Sequence, residues 1–127
     1  MMGRAGRKRQ RRVLVVDDHE MLRSGVSLAL AAAGYEVDSA ADGLAALAAV
    51  SHARPDLVVL DLRMPVLDGY ATLARLRADP ASAAIPVVIA TAADDQRSRS
   101  LAEGAAAFIT KPIDARQLLR EVSLALD

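Results

Sequence analysis

The chain contains no cysteine and no tryptophan, and its aromatic residues come to three, Tyr35, Tyr70 and Phe108. Without cysteine there is neither a disulfide framework nor a thiolate metal site, a pattern that fits a reducing cytoplasm. With only two histidines, at positions 19 and 52, a clustered-histidine zinc site is also disfavoured. So few aromatics leave a core to be built from Ala, Val, Leu and Ile, which supply most of the 53% hydrophobic content. No apolar run nears the ~20 residues of a membrane span, and no signal-peptide apolar segment follows the basic N-terminus. The expectation is one cytoplasmic domain, long enough to remove roughly two-thirds of its unfolded surface from water.

Acid is missing from the first twelve residues. Arg4, Arg7, Lys8, Arg9, Arg11 and Arg12 place six of the sixteen basic residues there, while all sixteen acids come later, so a formal net charge of zero hides a body carrying −6. Residues 1–10 have no apolar period and read as a disordered basic arm, with the domain over 11–127. A solvated tail is the simplest role for it. The sharper role is weak, salt-sensitive contact with nucleic acid or anionic lipid.

What is present is a set of short aliphatic runs that end in polar residues. Val13–Val16 runs into Asp17-Asp18, Leu57–Leu60 into Asp61, Val87–Ala90 into Thr91, and Ala106–Thr110 into Lys111-Pro112. Four consecutive aliphatics cannot alternate inside and outside, so these strands are covered on both faces, as in a parallel sheet between helices. Met64-Pro65 breaks the third run. A mixed strand over Tyr35–Ala40 completes five.

Between the strands lie helical patterns. Leu22, Val26, Ala29 and Ala33 form a stripe that closes at Gly34, and Leu44, Leu47, Ala48 and Ser51 mark a helix beginning near Asp42-Gly43. Tyr70, Leu73, Leu76 and Arg77 follow Asp68-Gly69. Asp94-Asp95 are read as the cap of a short polar helix ending at Glu103-Gly104. Asp114 is read as the cap of a last helix bearing Leu118, Leu119, Val122 and Leu126. Each parallel crossover needs a helix and is right-handed, so five strands alternating with five flanking helices predict an α/β doubly wound parallel sheet.

In that fold Asp17, Asp18, Asp61, Thr91 and Lys111 line one carboxyl edge of the sheet, where open α/β sheets bind ligands. Carboxylates gathered there repel one another and call for a cation. Their oxygens suit magnesium, or manganese in its place, held by one or two carboxylates, waters and a phosphate oxygen. A phosphoryl group drawn in would meet Lys111 and the Thr91 hydroxyl. Asp61 is the natural nucleophile, since a carboxylate can form an acyl phosphate.

The runs Val-Leu-Val-Val-Asp17-Asp18, Leu-Val-Val-Leu-Asp61-Leu-Arg-Met-Pro-Val-Leu-Asp-Gly69, Val-Ile-Ala-Thr91-Ala and Phe108-Ile-Thr-Lys111-Pro112 resemble the receiver domain of two-component response regulators, over Val13 to Leu126. The resemblance implies a flavodoxin-like sheet of order 2-1-3-4-5 and a phosphoacceptor, Asp61, loaded by a histidine kinase or histidine phosphotransfer protein. It implies that Asp18 binds magnesium directly, that Asp17 does so through water, and that Asp61 and the backbone carbonyl of Arg63 are further ligands. Lys111 would pair with the phosphoryl oxygens, Thr91 would move to hydrogen-bond them, and Lys111-Pro112 would be a cis peptide. Phe108 would be the switch aromatic that fills the space Thr91 vacates; many members carry tyrosine there, so its coupling would be steric. The fourth helix, fifth strand and fifth helix would form the face for an unknown output protein, with Arg97, Arg99, Phe108 and Arg116 as exposed candidates.

Other residues take plainer readings. His19 is a solvated loop histidine, His52 a surface residue at a helix end, and Met64 turn packing. Arg63 overhangs the pocket. The chain ends just after the fifth helix, which reads as a single-domain receiver that modifies only itself. One alternative is the receiver fragment of a longer regulator. Another is a magnesium-dependent phosphatase of haloacid dehalogenase type, but that family's Asp-x-Asp after the first strand is here Asp17-Asp18-His19.

Overall fold

The structure, a computed structural model, describes residues 10–127. The basic arm read over residues 1–10 therefore lies outside the described residues except for Gln10, whose side-chain amide donates to the Gly34 carbonyl at 2.9 Å.

Strand and helix alternate as the aliphatic runs predict: β1 (Arg12–Val16), α1 (Glu20–Ala32), β2 (Glu36–Ala40), α2 (Gly43–His52), β3 (Leu57–Leu60), α3 (Gly69–Ala78), β4 (Val87–Thr91), α4 (Arg97–Ala102), β5 (Ala107–Thr110) and α5 (Ala115–Leu126), with a 3-10 turn at Asp94–Gln96 leading into α4. The strands form one parallel sheet in the order β2-β1-β3-β4-β5. The expected doubly wound, flavodoxin-like architecture is borne out.

Side chains alternate across a strand, and here they divide into two apolar layers. Leu14, Val16, Val58, Leu60, Ile89 and Phe108 point to one face, where α2 and α3 cover them with Ala46, Val50, Leu73 and Leu76. Val13, Val15, Leu57, Val59, Val88 and Ile109 point to the other, covered by Val26 and Leu30 of α1 and Leu118 and Val122 of α5. Burying each such side chain contributes about 1.5–3 kcal/mol relative to exposure. The strand ends are thus anchored by a dry core on both sides.

Helix starts follow short-range chemistry. Asp42 accepts from the Ala45 N–H, Asp68 from the Ala71 N–H, and Asp114 from the Arg116 N–H, each at 2.8 Å. Gly34 and Gly104 end α1 and α4 in the left-handed region, at φ +100° and +101°. Arg77, half-buried at the end of α3, donates to the carbonyls of Ala83, Ile85 and Gly104, and burial lowers its pKa from the ordinary value.

Three sequence expectations are corrected. In α1 the buried residues are Val26 and Leu30, while Leu22 and Ala33 are exposed. Leu22, Val26, Ala29 and Ala33, spaced four, three and four, share one side of the helix, but the sheet takes up the side centred between Val26 and Leu30, which leaves Leu22 at its edge and Ala33, the C-cap, outside it. In α2 the buried face is Gly43, Ala46 and Val50, with Leu44 half exposed. A side chain at Gly43 would collide with Thr72 and Leu67, so α2 approaches α3 through its small residues rather than its leucines. Asp94 and Asp95 do not cap α4: the 3-10 turn starts after Ala93, and neither it nor α4 has a side-chain cap bond. The two acids sit within the turn, toward the positive end of the helix.

Candidate functional site

Strands β1, β3, β4 and β5 deliver the predicted polar residues to one edge. The parallel ladder continues past the strand ends: Asp17 N–H donates to Ala40 O (3.1 Å), Asp61 N–H to Val16 O (3.0 Å) and Lys111 N–H to Thr91 O (2.8 Å). The site backbone is therefore held by the sheet itself. Gly69 is a further constraint, because a Cβ there would run into the Asp61 carbonyl and the Leu62 Cα, and its N–H donates to Leu62 O at 2.9 Å. The Asp68-Gly69 pair thus caps α3 and lets that helix start against the backbone of the strand-3 acid.

Two of the carboxylates are buried and share one cation. The Lys111 ammonium lies 2.6 Å from Asp17 Oδ2 and 3.3 Å from Asp61 Oδ2, with side-chain exposures of 12%, 8% and 6% for the three residues. Burial lowers the Lys111 pKa. The hydrogen bond to Asp17, the charges of Asp61 and Asp17, and the bond to Asp61 together outweigh it, and the net direction is upward. Asp17 is fixed further by the His19 N–H on Oδ1 (2.9 Å) and by Arg23 of α1 on its carbonyl (2.8 Å).

Asp18 faces solvent beside this pair. Asp17, Asp18 and His19 can bring ligand atoms within 4.8 Å of one another, and the His19 ring stands 3.9 Å from Asp18 with 73% of its side chain exposed. Asp61 is not in that group; what joins it to Asp17 is Lys111. The Arg63 N–H makes a long contact to Asp61 Oδ1 (3.4 Å), while the Arg63 carbonyl accepts no hydrogen bond from the described residues. Two carboxylates at close range with an unengaged carbonyl nearby form a hard-oxygen donor set, which fits magnesium or manganese.

Thr91 is fully buried. Its hydroxyl accepts a long bond from the Ala93 N–H (3.4 Å) and donates to no acceptor among the described residues. A cleft of about 260 Å³ opens onto Asp18, His19, Asp61, Arg63, Thr91 and Lys111. Beside it runs an apolar groove between α1 and the start of α5, lined by Met21, Leu22, Gly25, Val26, Pro112 and Ile113. The Lys111-Pro112 peptide bond is cis.

On the opposite side of β5, Phe108 is 3% exposed and lies under the Arg97 guanidinium, 5.1 Å from ring centroid to cation. The expectation of an exposed Phe108 is corrected: the ring belongs to the apolar layer beneath α3 and α4, and an arginine covers it. Arg97, Arg99 and Arg116 are exposed as expected, and so is His52. The sequence reading missed a polar cluster around Tyr70, whose hydroxyl contacts Gln96 and Ser100. A tyrosine has an apolar ring and a polar tip that seeks a partner when buried, which was the available signal.

The profile of the response regulator receiver domain matches residues 13–123, and the chain belongs to that family. It is 42% identical over 113 residues to the response regulator PleD of Caulobacter vibrioides, covering 87% of this chain and 25% of PleD. It is 37% identical over 117 residues to the DNA-binding dual master transcriptional regulator RpaA of Synechocystis, covering 91% of this chain and 48% of RpaA. The chain thus spans between a quarter and a half of these curated relatives. Among solved structures, the chemotaxis response regulator CheY4 of Vibrio cholerae superposes with a TM-score of 0.86 at 33% identity, covering 92% of this chain and 99% of that one. The receiver domain of NtrX from Brucella abortus gives 0.84 at 33%, covering 90% and 97%. No helix among the described residues is long and apolar enough to cross a membrane.

Proposed function

We propose that this receiver accepts a phosphoryl group on Asp61 from a phosphohistidine of a histidine kinase or phosphotransfer protein, in the cytoplasm, and that the added charge changes a protein-binding face. The observation that carries the reading is the Lys111 ammonium held between buried Asp17 and Asp61, at the floor of a cleft whose wall includes an unspent Thr91 donor. In the transfer, an Asp61 oxygen attacks phosphorus, the phosphorus–nitrogen bond breaks, and the donor imidazole leaves, so that an acyl phosphate forms. Magnesium, held by Asp18, by Asp17 through water and by the Arg63 carbonyl, would supply charge neutralisation at the phosphoryl oxygens. Lys111 is within reach to shift its partnership from Asp61 to the new phosphoryl group. Thr91 can turn its free O–H toward the same group, and Phe108 can move into the space it leaves.

The apolar groove beside the cleft is the seat we infer for the donor domain. Met21 at its rim is 88% exposed and Leu22 lines both groove and cleft. For output, α4, β5 and α5 offer Arg97, Arg99 and Arg116, with Phe108 acting from beneath. The basic arm would add no more than weak contact to nucleic acid.

The test is stoichiometry. Incubated with acetyl phosphate and magnesium, the chain should gain one phosphoryl group per molecule and Asp61→Asn none. Many turnovers on an external phosphoester would instead support the haloacid-dehalogenase-type phosphatase. A second reading, that this receiver is part of a longer regulator, is favoured by the 25% and 48% shares of PleD and RpaA that it matches. A longer reading frame in the source genome would decide it.

A further inference from the structure

Away from the acidic edge, a linked polar cluster lies between α3 and α4. Tyr70, the second residue of α3, is half-buried, and its hydroxyl donates to Gln96 Oε1 at 2.8 Å. Ser100 Oγ lies 3.2 Å from the same hydroxyl. With the tyrosine proton spent on Gln96, Ser100 is the donor in that second bond, and Ser100 is fully buried. The Arg99 guanidinium stacks 3.7 Å above the Tyr70 ring and is itself tied to Glu103 at 2.6 Å. One side chain of α3 therefore grips both the turn that enters α4 and the buried face of α4.

That turn is continuous with the site. Ala92 and Ala93 are the only residues between Thr91 and the 3-10 turn that ends at Gln96. The Thr91 hydroxyl is tied to this segment through the Ala93 N–H, and Tyr70, Ala93 and Gln96 line one small pocket together with Arg63. A Thr91 hydroxyl drawn toward a phosphoryl group on Asp61 gives up the Ala93 bond and loads the same five residues that Tyr70 holds at their far end.

We propose that Tyr70 is a positioning residue for the switch: its hydroxyl latches the 92–96 segment and α4 in the unphosphorylated arrangement, and phosphorylation of Asp61 works against that latch. This rests on the reading of Asp61 as the acceptor and extends it to a second aromatic. Phe108 has no hydroxyl with which to report on α4. Tyr70, packed against the same apolar layer, supplies one at Gln96 and Ser100.

The test uses the full chain with magnesium, titrated with beryllium fluoride as a phosphoryl mimic, and follows amide resonances of residues 92–96. One neutral hydrogen bond that must break shifts the midpoint roughly two- to tenfold. Tyr70→Phe, which removes the bonds to both Gln96 and Ser100, is expected to lower the beryllofluoride midpoint by at least that factor, Gln96→Ala by no more than Tyr70→Phe, and the double variant to go no further than Tyr70→Phe alone. Melting curves establish that each variant is folded. A hydroxyl with a merely structural role would lower the melting temperature and leave the midpoint unchanged, and that result, or a raised midpoint, overturns the proposal. A wild-type chain that takes up no beryllofluoride overturns the Asp61 reading and this one with it.

Discussion

Substituting Lys111 by methionine, nearly its equal in volume, removes the one cation that joins buried Asp17 and Asp61, at 2.6 and 3.3 Å. Taking away one partner of a buried ion pair costs on the order of 3–5 kcal/mol. The cleft admits water beside Asp18, so the lower end, about 3 kcal/mol, is expected for metal-free protein. Magnesium should respond in the opposite sense. Two unit charges 4 Å apart interact by about 4 kcal/mol at an effective dielectric of 20, and an ammonium near the cation site opposes a divalent ion. Even a third of that energy is worth about tenfold in affinity. Lys111→Met should therefore melt lower than wild type without metal, bind magnesium at least tenfold tighter by calorimetric titration, and recover more of its melting temperature when magnesium is added. The pH dependence adds a sign. The Lys111 pKa is raised above its ordinary 10.5 in the folded state, so its contribution is complete below about 10.5 and is lost as pH rises through the folded value. Wild type should lose stability in that alkaline window and the variant should lose less. Equal metal-free stability together with an unchanged magnesium response would refute the view that Lys111 neutralises this pair.

Three further outcomes follow from local geometry. Val66 sits at φ +71° with 73% of its surface exposed; a β-branched residue there is strained, so Val66→Asn should stabilise by about 1 kcal/mol, seen as a melting temperature a few degrees higher. Gly69→Ala places a methyl group against the Asp61 carbonyl and should destabilise by roughly 2 kcal/mol or more, with a reduced rate of Asp61 phosphorylation that Asp61-independent stabilisers do not restore. Asp114→Ala removes the cap of α5 and should cost about 1 kcal/mol in urea unfolding while leaving phosphorylation intact.

Much of the fold could be read directly because the β-strands are short apolar runs ended by polar or proline residues. Leu57–Leu60 and Val87–Thr91 coincide with their strands to the residue, since a strand buried on both faces has no exposed position to blur its limits. The helices were less legible. The buried face of α2 is chosen by how closely Gly43 and Ala46 let it approach α3, a distance no hydrophobicity pattern encodes. Asp94 and Asp95 look like caps, but the chain makes a 3-10 turn before α4 begins. The site residues were legible as an edge, because five strands in one parallel sheet force their carboxyl ends together. Which charge meets which was not: the Asp17–Lys111–Asp61 bridge spans residues 94 and 50 positions apart. The partners in Arg97 over Phe108 and in the Tyr70–Gln96–Ser100 chain were likewise not legible, although the amphipathic Tyr70 signalled a need for one, as both depend on the packing of the short α4 against its neighbours.

The central claim is that Asp61, and no neighbouring acid, receives the phosphoryl group. The direct measurement is to phosphorylate the chain, reduce the acyl phosphate with borohydride, and locate the resulting homoserine by peptide mass spectrometry. Homoserine at position 61, absent without the phosphoryl donor, is the predicted result. Homoserine at position 17 or 18, phosphate retained on His19, or no modification at all under conditions that load another receiver would contradict it.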